Sequence, residues 1–209
     1  MQENLEISKY KLELRDKIPE VAMKLFAEQG IKNVRMDDVA HQMGISKRTI
    51  YELYENKEDL LYEVLVKRFK TREETMEVTA RRCNNVMEIL LEVYRLKIDE
   101  FKSTNPLFFS ELIKYPNVLE FLTEQNKKVR SKSLSFIQRG IEEGYFRSGI
   151  NYELAAMIFD AMGHYVMENE LYSRFTIEEI FRSFIFVSLR GICTDKGTKA
   201  LEELIPQVI

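Results

Sequence analysis

The fold of this chain is indicated most clearly by residues 34–57, VRMDDVAHQMGISKRTIYELYENK, which predict two short helices joined by a tight turn. In residues 36–43 the apolar side chains recur at the i, i+3, i+4 and i+7 positions of one helical face. Gly44 follows and can adopt the left-handed backbone conformation that commonly ends a helix. Ser46 is a favourable N-cap for a second helix over about residues 47–54. The pattern therefore predicts a helical hairpin.

The residue types in this hairpin separate a DNA-binding unit from an ordinary pair of core helices. Ala40 is small enough for two helices to cross closely, Gly44 comes four residues later and Ile50 six residues after that, which is the packing pattern of a helix-turn-helix. Such a unit offers its second helix to the major groove of DNA. Residues 46–49, Ser-Lys-Arg-Thr, open that helix with two cations and two hydroxyls, which suit phosphates and base edges. A buried hairpin has no use for them, so the sequence favours DNA binding.

The hairpin is part of a longer pattern, IPEVAMKLFAEQGIKNVRMDDVAHQMGISKRTIYELYENKEDLLYEVL, residues 18–65. The pattern combines a helix end of the form A-x-x-L-F-x-x-x-G with D-D-V-A, G-I-S-K-x-T-I-Y and N-K-E-D-L-L. With this composite, residues 15–66 resemble the DNA-binding domain of the TetR (tetracycline-repressor-like) family of bacterial transcriptional regulators. The resemblance covers about a quarter of the chain, and the remainder is similar to the family only in length and helical character.

The resemblance implies an all-α fold with two domains. We expect an N-terminal arm and a three-helix DNA-binding domain with the helix-turn-helix in residues 1–56, and a helical effector-binding and dimerisation domain in residues 57–209. A helix over residues 57–81, which Asn56 can cap, would link them. The implied function is that of a DNA-binding transcriptional regulator. In this prediction it is a homodimeric repressor that a small apolar or aromatic effector releases from a palindromic operator in double-stranded DNA.

The predicted DNA contacts come partly from side-chain chemistry and partly from the resemblance. Arg35 stands where the family usually has a Ser or Thr cap, and because its side chain cannot accept the capping hydrogen bond, about 1 kcal/mol of stabilisation is absent. Leu53 stands where the family more often has an aromatic residue or His, which leaves the base specificity open. Tyr51 and Lys57 are carried over from matching family positions. The predicted contacts are Lys47, Arg48, Thr49 and Tyr51, with Ser46, Arg35 and Lys57 on phosphates.

Pro19 is a further departure from the family pattern. Inside a helix, a proline loses a backbone hydrogen bond and clashes with the carbonyl four residues earlier. We therefore predict that the helix begins near Asp16, so that Pro19 lies in its first turn. Residues 5–17 would then form an N-terminal arm or an added helical turn.

Aromatic side chains are frequent in the helical middle segment, residues 84–144. They are consistent with a plain core, while the resemblance implies that some of them line an effector pocket. His164, on a later helix, has the same two interpretations, a buried imidazole or a ligand contact. The basic run in residues 125–133 is interpreted as a solvated surface rather than a second DNA-binding surface. The candidate pocket residues are Tyr94, Ile98, Phe101, Phe108, Phe109, Leu112, Phe121, Phe136 and His164.

The last two long helices, near residues 152–171 and 176–194, carry apolar residues over much of their circumference. Thr176 with Glu179 three residues later forms a capping box for the second of them. A helix that is apolar on most sides requires burial on two sides, either within its own domain or against a second copy of the chain. For a homodimer we predict a seam that includes Phe159, Met162, Val166, Phe181, Phe184 and Ser188.

Composition limits the other possibilities. The chain has 209 residues and a net charge of −3, so DNA affinity must come from a local basic patch rather than from the whole protein. The N-terminus lacks an apolar signal segment and no apolar run is long enough to span a bilayer, which predicts a cytoplasmic protein with no membrane partner. Cys83 and Cys193 do not make a disulfide framework and are expected to be reduced.

No constellation of catalytic residues is present in the sequence. The chain has two histidines, His41 and His164, and neither a C-x-x-C nor an H-x-x-x-H spacing. We therefore predict that the protein is not an enzyme and uses no cofactor or metal. Two alternatives stay open: a helical protein-interaction module that has lost DNA binding, and redox sensing through Cys83 or Cys193.

Overall fold

The computed structural model describes the backbone of residues 2–207, with side chains for 9–129, 132–203 and 205–206, and this part of the chain is helical without strands. The predicted all-α fold class is confirmed. In chain order the helices are α1 (Gln2–Gln29), α2 (Met36–Met43), α3 (Lys47–Leu53), α4 (Lys57–Arg82), α5 (Val86–Ser103), α6 (Pro106–Leu112), α7 (Pro116–Glu142), α8 (Tyr152–Glu168), a 3-10 turn (Leu171–Ser173), α9 (Ile177–Ile180), a π-helical segment (Phe181–Phe186), α10 (Val187–Ile192), α11 (Asp195–Leu204) and a 3-10 turn (Ile205–Gln207).

The first of two compact units runs to Glu73 and includes Ser103–Leu122. From α1 it buries Ile18, Ala22 and Phe26, which recur every four residues and so lie on one helical face. The other large side chains that are fully buried in this core are Ile31, Ile50, Leu60, Leu61, Leu65 and Phe108.

The first unit extends beyond residue 56, because the first turns of α4 and all of α6 pack in its core. The domain boundary after residue 56 stays a prediction. α6 is held by the end of α1. The Asn105 amide donates to the Ala27 carbonyl at 2.7 Å, and the buried Glu111 carboxylate accepts from the Lys32 amide at 2.7 Å. The first bond satisfies a carbonyl that the end of α1 leaves unpaired, and the second satisfies an amide of the turn that follows α1.

The helix-turn-helix has the local structure that its sequence predicts. Gly44 adopts the left-handed conformation at φ 66° and ends α2. Ser46 caps α3, since its hydroxyl accepts from the Thr49 amide at 3.1 Å. As expected, the Arg35 side chain does not cap α2. The Asp38 carboxylate accepts a hydrogen bond from the Arg35 backbone amide at 2.7 Å.

The predicted start of the first helix near Asp16 is wrong, because α1 is continuous from Gln2 through Pro19. Pro19 has no N–H group, so the Arg15 carbonyl four residues earlier loses its usual helical donor. Tyr54 is the residue that follows α3, and its hydroxyl donates to this carbonyl at 3.5 Å. Lys67 of α4 donates to the next carbonyl, that of Asp16. Side-chain donors from later in the chain thus replace part of the backbone hydrogen bonding that the proline removes.

The second unit consists of Glu74–Lys102 and the chain from Thr123 onward. In its core the Phe146 ring packs directly on Gly140. A larger residue does not fit at this position, because a Cβ added to Gly140 would lie 2.1 Å from the ring. The fully buried Cys193 pairs with Phe146 in an isolated antiparallel bridge. No helix in the described part of the chain combines the length and the apolar character that crossing a membrane requires.

Candidate nucleic-acid interface

α3 is anchored by one face and presents the other to solvent. Ile50 is fully buried in the first core, so α3 cannot rotate without exposing it. The side chains of Lys47 and Arg48 are 71% and 89% exposed, and Tyr51 also faces solvent. Thr49 is half-buried, and its hydroxyl lies 2.8 Å from that of Ser46, within the cap of α3. The predicted contact residues on α3 are therefore together, with the two cations and the tyrosine outermost.

Both exposed cations of α3 pair with carboxylates. Lys47 donates to Asp37 of α2, and this hydrogen bond raises the pKa of Lys47. The Nε atom of Arg48 donates to Oε1 of Glu52 at 3.0 Å, one helical turn further on. Exposed pairs of this kind add little to stability, so DNA phosphates or base edges can replace the carboxylates without a large loss.

Glu52 has a second cationic partner from α1. Lys11 Nζ donates to its Oε2 at 3.0 Å. The hydrogen bond from Lys11, and after it the one from Arg48, lowers the pKa of Glu52. The Arg48–Glu52 pair has the i, i+4 spacing and could have been found from the sequence. Lys11 could not, because it lies 41 residues from Glu52.

Lys57, predicted to contact a phosphate, faces the loop between α1 and α2. Its ammonium donates to the carbonyls of Ile31 at 2.8 Å, Val34 at 2.9 Å and Lys32 at 3.3 Å. Burial lowers the pKa of Lys57. This geometry gives Lys57 a structural role in closing the loop, and its phosphate contact stays a prediction. Arg35 is exposed at the start of α2, and its phosphate contact likewise stays a prediction.

The candidate effector residues lie in two separate cores. Phe108, Phe109, Leu112 and Phe121 pack in the first unit. Tyr94, Ile98, Phe101 and Phe136 pack in the second, where the Tyr94 ring contacts Phe181 and Phe186 edge-on. Burial raises the pKa of Tyr94 to about 12. Each group of four packs within the core of its own unit, and the pocket stays a prediction.

His164 belongs to neither group, because it is exposed on α8. The interpretation of this residue as a buried imidazole is therefore wrong. Among the described residues, no group of three or more His, Cys, Asp or Glu side chains could hold a metal ion.

The predicted dimer seam is partly occupied within the chain itself and stays a prediction. Val166 and Phe181 are buried, and the rings of Phe159 and Phe184 pack 5.5 Å apart. The remaining seam residues, Met162 and Ser188, are half-buried. The exposed apolar face of α8 lies elsewhere, at Leu154, Met157, Ile158 and Tyr165.

A π-helical segment determines which side of the last long helix faces the core. At regular α-helical spacing, Phe186 would lie about 140° around the helix axis from Phe181. The π-helical segment Phe181–Phe186 adds a residue to the turn, so that Phe181, Phe186 and Leu189 are all buried on the core side.

Comparison with known proteins agrees with this geometry. Residues 18–64 match the family model described as "Bacterial regulatory proteins, tetR family". An HTH-type transcriptional regulator from Staphylococcus aureus (strain USA300) is 42% identical over 53 residues, which are 25% of this chain. The match spans only 29% of that relative's length.

Solved structures extend the similarity in fold to most of the chain. A TetR-family regulator from Agrobacterium tumefaciens has a TM-score of 0.68 at 19% identity, over 88% of this chain and all of that one. A transcriptional regulator from Saccharomonospora viridis, solved in complex with choline, has a TM-score of 0.63 at 22% identity, over 93% of this chain and 96% of that one. The segment of residues 18–64 is therefore similar to the TetR family of bacterial regulatory proteins, and the similarity over the rest of the chain is one of fold.

Proposed function

We propose that this chain is a DNA-binding transcriptional regulator that inserts α3 into the major groove. The observation that carries the proposal is the exposure of Lys47, Arg48 and Tyr51 on a helix that the buried Ile50 holds in place. A rigid helix with outward cations and a hydroxyl-capped start can contact phosphates and base edges together. The alternative of an interaction module that has lost DNA binding is not favoured, because the DNA-contacting side chains are retained and exposed.

The regulator works as a homodimer on a palindromic operator in this proposal. One helix-turn-helix contacts too few base pairs for selective binding in a genome, whereas two units on a two-fold axis read both halves of a palindrome. The support for a self-complementary surface is the apolar face of α8, where Leu154, Ile158 and Tyr165 share one side of the helix and are each more than half exposed. On α10, Val187 is exposed, and Gly191 leaves open space for a close approach.

A small apolar or aromatic effector would control operator binding, which makes the protein a repressor in the simplest case. The support is the similarity of residues 18–64 to the TetR family and the aromatic residues of the second core. An effector can shift the operator affinity only by its differential affinity for two conformations of the protein. A tenfold loss of operator affinity requires about 1.4 kcal/mol of such coupling.

Selection from a random library of double-stranded DNA tests the proposed function. We expect the purified protein to enrich one inverted repeat, with half-sites about one helical turn apart. Arg48→Ala should then weaken binding to that site by about 1–3 kcal/mol if Arg48 contacts a base edge, measured by fluorescence anisotropy. Enrichment of no sequence by the wild-type protein would contradict the proposed function.

A further inference from the structure

The N-terminal half of α1 reaches the DNA-contacting helix. α1 begins at Gln2, whereas the match to the family model begins at residue 18, so this part of α1 lies outside the family domain. Lys11 lies in this part, and its ammonium bonds the Glu52 carboxylate on α3. A segment outside the family pattern thus contacts the helix that is proposed to enter the groove.

Glu52 is held from two sides, one cation on each oxygen. Arg48 Nε donates to Oε1 and Lys11 Nζ donates to Oε2, both at 3.0 Å. The Arg48 side chain is otherwise exposed and has many accessible rotamers. The Nε bond limits this freedom and leaves the donors of the two terminal amino groups for other partners. Those donors are suited to a bidentate contact with guanine O6 and N7.

Lys11 also balances the charge of Glu52. A carboxylate on a DNA-contacting helix repels phosphates, and it attracts the neighbouring guanidinium away from the DNA. With Lys11 on Oε2, Glu52 can orient Arg48 through Oε1 while its negative charge is compensated.

We propose that Lys11 is a specificity-determining positioning residue, which acts through Glu52 to orient Arg48 towards a base edge. The inference rests on the proposed DNA-binding function and extends the specificity determinants to the N-terminal half of α1. Because exposed ion pairs contribute little to stability, loss of this pair should alter DNA recognition while the fold remains intact.

A double-mutant cycle on the selected operator tests the proposal. The variants are Lys11→Met, Glu52→Gln and their combination, with Lys11→Arg as the conservative replacement. Lys9→Met is the matched control, because Lys9 is an exposed lysine two residues away on a different side of the same helix. Fluorescence anisotropy at several salt concentrations gives the operator affinity and the salt slope, which is the change in log affinity with log salt concentration. Operators with single-base changes give the base preference at each position. The position at which Arg48→Ala loses its preference is the one that Arg48 contacts. Circular dichroism checks folding.

Lys11→Met should lower operator affinity by about two- to tenfold, a typical range for coupled neighbouring residues, and relax the base preference at the Arg48 position. The salt slope should not change, because Lys11 does not contact phosphate in this arrangement. In the Glu52→Gln background Lys11→Met should have no further effect. Lys11→Arg and Lys9→Met should bind as the wild type does.

Two results would overturn the proposal while wild-type binding stays intact. One is an equal loss of affinity in both Glu52 backgrounds with a salt slope reduced by about 0.9, the signature of a direct phosphate contact. The other is an unchanged affinity and base preference in Lys11→Met. Failure of the proposed function has a different signature, since the wild-type protein would then select no site, and both proposals would fall.

Discussion

The segment of α3 and the start of α4 differs from α8 in how completely its large aliphatic side chains are buried. In the first unit, the apolar residues that anchor α3 and the start of α4, such as Ile50 and Leu60, are fully buried within the one chain. In the second unit, α8 has 17 residues, all within the described part of the chain, and only Val166 is buried. Leu154 and Ile158 on the same helix are each more than half exposed. An exposed stripe of large apolar residues is typical of an interaction surface, so α8 fits the dimer interface that we propose, whereas α3 is anchored within its own chain.

Matched isoleucine substitutions should give the largest difference between the units. Ile50→Ala should lower the free energy of unfolding by about 2–5 kcal/mol, since it opens a cavity in a closed core. Ile158→Ala removes the same atoms from an exposed position and should change the stability of the monomer by less than about 0.5 kcal/mol. Urea unfolding at low protein concentration measures both. Equal losses would show that the α8 face belongs to a core.

A charge on the exposed face of α8 should prevent dimerisation. Ile158→Asp would bury an unpaired carboxylate from each copy, which costs several kcal/mol. We expect the dimer dissociation constant to rise about 100-fold or more, a change of about 2.8 kcal/mol. Sedimentation equilibrium measures it, and circular dichroism checks that helical content persists. Ser173→Asp, an exposed control in the turn after α8, should remain dimeric. A dimeric Ile158→Asp protein would place the interface on another face.

A smaller change in stability is expected when the bond between Tyr54 and the Arg15 carbonyl is removed, because this bond replaces the one that Pro19 cannot make. Tyr54→Phe removes the donor to the Arg15 carbonyl and should lower the free energy of unfolding by about 0.5–1.5 kcal/mol, towards the lower end for so long a bond. Pro19→Ala supplies the missing N–H group. In the Pro19→Ala background the Tyr54 hydroxyl should therefore contribute less, as urea unfolding of the four proteins can determine. An undiminished loss in that background would argue against the compensation.

The cysteines should give the smallest functional effect. Burial raises the pKa of Cys193 to about 11 and also raises the pKa of the half-buried Cys83. The reactive thiolate forms only as the pH approaches these raised values, so at pH 8 we expect slow alkylation of Cys83 and none of Cys193 in the folded protein. Mass spectrometry after timed labelling measures this. The Cys83→Ser, Cys193→Ser double variant should keep wild-type operator affinity, and a large change in affinity would revive the redox hypothesis.

The parts of the structure that the sequence predicted well depend on neighbouring residues. The Ser46 cap, the left-handed Gly44 and the capping box of Thr176 with Glu179 each involve groups no more than four positions apart. Such contacts form wherever the backbone is helical, so the pattern is sufficient to predict them. Family resemblance added the roles of exposed side chains on α3, which local rules do not assign.

Misjudged features depend on long-range packing. The N-terminal extension of α1 through Pro19 is accompanied by donors from Tyr54 and Lys67, which lie much later in the chain. On the helix after Thr176, the π-helical segment Phe181–Phe186 brings Phe186 to the same buried side as Phe181. Neither effect has a local signature, because both depend on which carbonyls and cavities other helices present.

By itself the sequence determined the helix-turn-helix, its caps and the outward residues of α3, because each is specified within one or two helical turns. Only the tertiary structure decided that Lys11 reaches Glu52, that Lys57 closes the loop of Ile31 and Val34, and that the free apolar face of α8 includes Ile158. These contacts join or expose residues that are distant in the chain. Their free energy depends on how the helices pack, which no local pattern encodes.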